Sequence, residues 1–205
     1  MGKLVMVRHA LSEWNSLGIW TGITDVHLSK EGFEVAKKMG ILLKNFCFDY
    51  VFITPLIRTK ETLSAILDAN LVTQKDVPVE ESKELMERDY GIYTGKNKWE
   101  VKKEIGDEEF QKIRRSWDYP IPNGESLKMV YERALPFFLN RIMPILKKGK
   151  NVLLVGHGNT MRALSKYIEN ISDEGINSFE IGFDTATIYD LDTEGHMINK
   201  EIRKA

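Results

Sequence analysis

A chain of 205 residues, 42% hydrophobic and 29% charged, is long enough for one well-buried core and too short for two large domains. Its 29 Lys plus Arg against 30 Asp plus Glu give a formal charge of -1, which excludes general polyanion binding, nucleic acid included, and a membrane-surface role. The single Cys47 excludes an intrachain disulfide, and with no charged leader and no long apolar segment the expectation is a soluble, cytoplasmic protein without signal peptide or membrane span.

The apolar run over residues 4–7 predicts a strand, followed directly by Arg8-His9-Ala10 and a polar loop through Asp25. Ser29 can cap a helix in which Ala36, Met39, Leu42, Leu43 and Phe46 repeat at helical spacing. Residues 50–53 form the next strand, ended by Thr54-Pro55, and 58–67 suit a helix with Arg58 near its start. Cys47, set among aromatics, reads as a buried or half-buried apolar residue, and Val77-Pro78-Val79 as a short edge strand. Residues 84–125 are polar and rich in Gly and Pro, an excursion that can cover a sheet edge.

Residues 126–146 have helical spacing, but Pro136 and Pro144 each remove an N–H donor and should kink or divide the helix. A strand over 152–155 and a helix over about 160–168 make another β-to-α unit, followed by a late strand near 187–191 and a short polar tail over 200–205. The expected architecture is α/β: one three-layer domain over 1–205, a mainly parallel open sheet flanked by helices, with 84–125 covering the site.

Two of the four histidines, His9 and His157, leave strand ends, where ligands bind in an open parallel sheet and helix N-termini meet anions. His27 and His196 lie in polar loops and read as solvated. A neutral imidazole can attack phosphorus, serve as a base or ligate a metal. No compact metal-ligand spacing is present, so no metal is expected. Phosphoryl transfer needs cations around the equatorial oxygens, and Arg8, Arg58 and His157 can supply them. Glu87 can move the proton or simply pair with Arg88 at the surface. Arg88, Lys98, Arg114 and Arg115 exceed what one phosphate needs, which leaves a solvated basic face or a substrate with further negative charge. Gly158 and Asn159 can bring donors to the site or serve only the turn.

The residues resemble the cofactor-dependent phosphoglycerate mutases of the histidine phosphatase superfamily, in their short bacterial form. The likeness runs from Val7-Arg8-His9-Ala10-Leu11-Ser12-Glu13-Trp14-Asn15 and Trp20-Thr21-Gly22 through Thr54-Pro55-Leu56-Ile57-Arg58 and Glu87-Arg88-Asp89-Tyr90-Gly91. It continues through Gly95-Lys96-Asn97-Lys98, Arg114-Arg115 with Trp117, Pro122-Asn123-Gly124-Glu125-Ser126-Leu127 and Gly156-His157-Gly158-Asn159-Thr160-Met161-Arg162. The resemblance implies that His9 is phosphorylated by 2,3-bisphosphoglycerate, that Glu87 is acid and base, and that His157, Arg8 and Arg58 stabilise the phosphoryl group. It further implies phosphate or substrate contacts from Asn15, Thr21, Gly22, Arg88, Tyr90, Lys98, Arg114, Arg115, Gly158 and Asn159. The implied reaction interconverts 3- and 2-phosphoglycerate in glycolysis and gluconeogenesis. A homodimer is the expected assembly, and the competing activity is hydrolysis of small phosphate esters.

Several positions depart from the family. Ala10 stands where most members have Gly, and Leu11 where an acidic residue is usual. If position 10 needs a left-handed backbone the alanine costs on the order of 1 kcal/mol, and otherwise its methyl narrows the pocket. The segment Ile181-Gly182-Phe183-Asp184-Thr185-Ala186-Thr187 differs from the usual threonine-glycine-rich sequence. The longer members' insertion before Pro122 and their longer tail are missing, so hydrolysis is expected to compete more strongly here.

Overall fold

Uninterrupted apolar runs such as Leu4 to Val7 and Val152 to Val155 make stable strands only where helices cover both faces of a sheet. The computed structural model describes residues 2–73 and 76–205 and puts these runs at the centre of a six-stranded sheet. Its strands are β1 (Gly2–Arg8), β2 (Tyr50–Ile53), β3 (Val79–Glu81), β4 (Val152–Gly156), β5 (Thr185–Leu191) and β6 (Met197–Lys204), ordered β3-β2-β4-β1-β5-β6. The first four in that order run parallel; β5 is antiparallel to β1, and β6 to β5. The sheet is mixed but mainly parallel, in the α/β class the pattern predicts.

The helices are α1 (Glu13–Ser16), α2 (Lys30–Leu42), α3 (Ile57–Ala69), α4 (Lys98–Ile105), α5 (Asp107–Arg115), α6 (Leu127–Phe137), α7 (Met143–Lys147) and α8 (Gly158–Ile168). Alternation along the central strands sorts the core into two layers. Val5, Val7, Leu153 and Val155 pack on Met39 of α2 and on Leu63 and Ile66 of α3. On the other face Leu4, Met6 and Leu154 pack with Ala134 of α6, Leu146 of α7 and Met161 and Leu164 of α8. Leu154 is 1% exposed, so its truncation to alanine costs about 2–5 kcal/mol.

Local chemistry sets the helix ends. Ser29 accepts from Gly32 N at 3.0 Å and starts α2, as its sequence context predicts, although the helix stops at Leu42, short of Phe46. Pro136 lies inside α6 and Pro144 in the first turn of α7, and between them Phe138–Ile142 forms a π-turn in which Met143 N–H reaches Phe138 O, five residues back. Without an N–H, Pro144 cannot serve the carbonyl four residues before it, and the wider turn absorbs the defect.

Two expectations are corrected, at the tail and at Cys47. The polar tail over 200–205 is largely strand: β6 pairs through Lys204, and only Ala205 lies beyond it. Its side chains are mostly exposed because it is an edge strand, and that removes the hydrophobic signal on which the reading depended. Within the excursion over 84–125, to which the sequence assigned no element, lie α4 and α5, each under ten residues and separated by Gly106 at φ 82°. Cys47 is exposed, since its aromatic neighbours Phe46 and Phe48 turn to stack on each other.

Candidate active site

Parallel pairing of β1 with β4 sets Arg8 opposite Gly156, and His9 N donates to Gly156 O at 2.8 Å. The next residue on each strand is a histidine, so His9 and His157 emerge side by side with ring centroids 5.1 Å apart at 60°. This is the carboxyl edge of the parallel strands, where such sheets bind ligands.

His9 is 3% exposed, and its Nδ1 lies 2.7 Å from Ala10 O. A carbonyl only accepts, so Nδ1 carries the proton and Nε2 keeps its lone pair. Burial, then the charges of Arg58 and Arg8, hold the imidazole pKa well below 6.5, keeping the ring neutral. His157 is fully buried, with Nε2 2.9 Å from Thr54 Oγ1 and no protein partner for Nδ1. Burial and the same arginines, with His9, push its pKa down as well.

Arg58, in the first turn of α3, is fully buried and donates to Thr24 O and Gly22 O at 2.8 Å each. Burial lowers its pKa to about 10, so it is charged at neutral pH. Arg8 donates to Ile181 O at 2.9 Å and lies 3.6 Å from the Phe183 ring centroid. Its guanidinium also rests on Gly158, where a Cβ would stand 3.1 Å from the guanidinium carbon; only glycine gives that approach freely. The Nε atoms of both arginines lack partners in the protein.

Glu87 Oε1 accepts from Arg88 N at 2.8 Å and from Asn159 N in the first turn of α8 at 3.1 Å, leaving Oε2 without either bond. The backbone under it is gripped by Arg133, which donates to Met86 O and Glu87 O at 3.0 Å each and to both oxygens of Glu125. Arg133 has no signal of its own in the sequence. Its partner Glu125 belongs to the Pro-Asn-Gly-Glu-Ser motif and was the available hint.

These groups meet at a cavity of about 340 Å³. Arg8, His9, Asn15, Thr21, Gly22, Arg58, Glu87, Tyr90, Lys98, Arg114, Arg115, Gly158 and Asn159 line it. Two expected residues do not. His157 is buried beside His9, and Arg88, 1% exposed, backs the wall with its guanidinium 4.5 Å from the Tyr90 ring and one N–H on Ile113 O. Arg88 thus stands behind Tyr90: burial raises the Tyr90 pKa, but the charge of Arg88 together with hydrogen bonds from Arg88 and Asn159 lowers it below its ordinary value. The lining also includes Trp20, Arg162, Glu180, Ile181, Gly182 and Phe183, for which the sequence reading assigned no contact. Arg162 donates to Asn159 Oδ1 at 3.0 Å, and Glu180 pairs with Arg115. The walls hold six Arg and Lys side chains against two carboxylates, a strongly anion-attracting cleft in a nearly neutral protein.

Neither alternative for Ala10 holds. It is not among the non-glycine residues with positive φ, and its buried methyl packs with Leu28 and Ala36 instead of lining the cavity. Leu11 lines no part of it either; its carbonyl accepts from Ser29 N at 2.9 Å. His27 and His196 are exposed, each beside a carboxylate. Among the described residues no cluster of three or more His, Cys, Asp or Glu could hold a metal, and no helix is long and apolar enough to cross a membrane.

The chain is 38% identical over 201 residues to the 2,3-bisphosphoglycerate-dependent phosphoglycerate mutase of Parvibaculum lavamentivorans, covering 97% of this chain and 95% of the relative. It is 40% identical to the protein of that name from Nitrobacter winogradskyi, over 96% of this chain and 95% of the relative. Among solved structures, the alpha-ribazole phosphatase of Shigella flexneri superposes with a TM-score of 0.79 at 22% identity, over 98% of this chain and 95% of that one, a likeness of fold. Residues 4–201, from the strand that leads into His9 to the last strand of the sheet, match the histidine phosphatase superfamily (branch 1), and the chain belongs to that family.

Proposed function

We propose that the chain transfers phosphoryl groups of small phosphate esters through a phosphohistidine on His9. One observation carries this: a neutral His9, its Nε2 lone pair free, stands among Arg8, Arg58 and Glu87 at one cavity. In the first step a bond forms between His9 Nε2 and phosphorus as the ester P–O bond breaks, and Glu87 protonates the departing oxygen. Arg8 and Arg58 face the equatorial oxygens, where charge is held through transfer. In the second step Glu87 takes a proton from the incoming oxygen as it attacks phosphorus, and His9 returns to the neutral imidazole.

The finer reading is phosphoglycerate mutase, with a sugar-acid hydroxyl as second acceptor. It is supported by Lys98, Arg114 and Arg115 around the same cavity, more cations than one phosphate requires, and by the names of the curated relatives. The residues fit 2,3-bisphosphoglycerate: the unpartnered Nε atoms of Arg8 and Arg58 and the excess of cations suit a multiply charged anion. When bound, it supplies a phosphoryl group for His9. Hydrolysis is the second reading, and Glu180 favours it, because its carboxylate already occupies Arg115.

The test is a coupled assay of 3- to 2-phosphoglycerate conversion, with and without 2,3-bisphosphoglycerate, run beside phosphate release from the same substrates. A mutase isomerises faster than it releases phosphate and depends on the primer; a phosphatase shows the reverse. His9→Ala abolishes both, and activity surviving that change would overturn the phosphohistidine step.

A further inference from the structure

The β2-to-α3 corner holds three buried threonines, and two of them lead to His157. Thr59 Oγ1 donates to Leu56 O at 2.8 Å, with Thr54 O at 3.0 Å as the alternative acceptor. Carbonyls only accept, so the one hydroxyl proton of Thr59 is spent there. At the 3.1 Å contact between the two hydroxyls, Thr54 is therefore the donor. Thr54 then has only lone pairs left for His157 Nε2, 2.9 Å away. All three side chains are buried, and no solvent competes for these bonds.

The geometry points to Thr54 and Thr59 as positioning residues that hold neutral His157 in its Nε2–H form, so that Nδ1 is the atom that gains a proton when a phosphoryl group enters. His9 is locked the opposite way, with its proton on Nδ1 against Ala10 O and its lone pair on Nε2. Adjacent imidazoles of one chemical type thus receive different tasks from their hydrogen-bond partners. A lone pair at Nδ1 repels phosphoryl oxygens, whereas the imidazolium donates to them. Burial first, then the charges of Arg58, His9 and Arg8, disfavour that protonation in the empty site, and the negative charge of the entering group offsets the repulsion from the arginines. The proton comes from solvent and returns to it when the anion leaves. The unpartnered Nδ1 of the ligand-free protein is what this arrangement requires.

The inference rests on the phosphoryl-transfer reading, but its first test needs no turnover. Nitrogen-15 NMR of the imidazoles in the intact protein should show His157 protonated on Nε2 alone without ligand and on both nitrogens with inorganic phosphate bound. Thr54→Val should abolish the single Nε2–H form and lower kcat at least about tenfold with KM little changed, as loss of a tautomer lock does elsewhere. Thr54→Ser should restore both. If Thr54→Val does not fold, Thr59→Val interrupts the same chain one hydroxyl earlier and is read in the same way. A ligand-free His157 protonated on Nδ1, a His157 left singly protonated under bound phosphate, or a valine variant that keeps its tautomer and rate overturns the assignment. Inactivity of the wild type toward phosphate esters, by contrast, would count against the function and leave the tautomer result standing.

Discussion

Ala10 touches the nucleophile in sequence yet faces away from it in space. Its N–H donates to Thr62 Oγ1 at 3.1 Å, and Thr62 in turn bonds Arg58 O, so the residue's backbone ties the His9 loop to the helix that carries Arg58. The methyl fills a small cluster with Leu28 and Ala36. Ala10→Gly should therefore act on stability and spare the chemistry. We expect a loss of roughly 1 kcal/mol in denaturant unfolding, from the vacated methyl and the freer backbone, and a kcat within about twofold of wild type. A large fall in kcat at unchanged stability would show that the methyl shapes the pocket after all.

At the scale of elements, Glu87 depends on a strap. It sits on an irregular segment with no ladder to fix it, and Arg133 of α6 supplies the missing constraint by joining the backbone of residues 84–87 to Glu125. Burial opposes ionisation of Glu125, but the Arg133 and Asp89 bonds prevail and lower its pKa. Arg133→Met keeps much of the apolar stem and removes every one of these bonds. It should cost about 1–3 kcal/mol in unfolding and lower kcat more than it raises KM, because the proton-transfer group loses its placement. An unchanged kcat would mean that the bonds from Arg88 N and Asn159 N hold Glu87 unaided. The sequence exposed this region unevenly, for physical reasons. The central strands and the histidines after them were legible because strands buried on both faces read as continuous apolar runs. Arg133 was not, since a cation on a half-exposed helix face looks the same whether it meets water or four carbonyl and carboxylate groups. Arg88 failed the other way: its neighbours in sequence line the cavity, but its own side chain turns inward to Ile113 O, a contact no local pattern encodes. The two antiparallel strands divided similarly, β5 marked by its buried apolar residues and β6 hidden by its exposed edge position.

For the whole molecule, the cleft sets how stability varies with pH. His9 and His157 are buried and neutral, with pKa values well below 6.5, while in the unfolded chain each takes up a proton near that value. Below pH 6.5 the unfolded state binds more protons, so stability is complete above that pH and declines as the pH falls toward the depressed folded values. Each imidazole removes at most about 1.4 kcal/mol per pH unit within that window. Melting temperature measured at constant ionic strength from about pH 8 down to pH 5 should hold level and then drop below pH 6.5. The drop should be shallower in His9→Asn and His157→Asn, each of which deletes one of the titrating rings. Inorganic phosphate should oppose it, since an anion held among the arginines makes protonation of His157 less costly and stabilises only the folded state. A melting temperature that rises on acidification, or a drop that both asparagine variants retain in full, would place the pH sensitivity in other groups and remove the basis for treating these two rings as neutral in the resting fold.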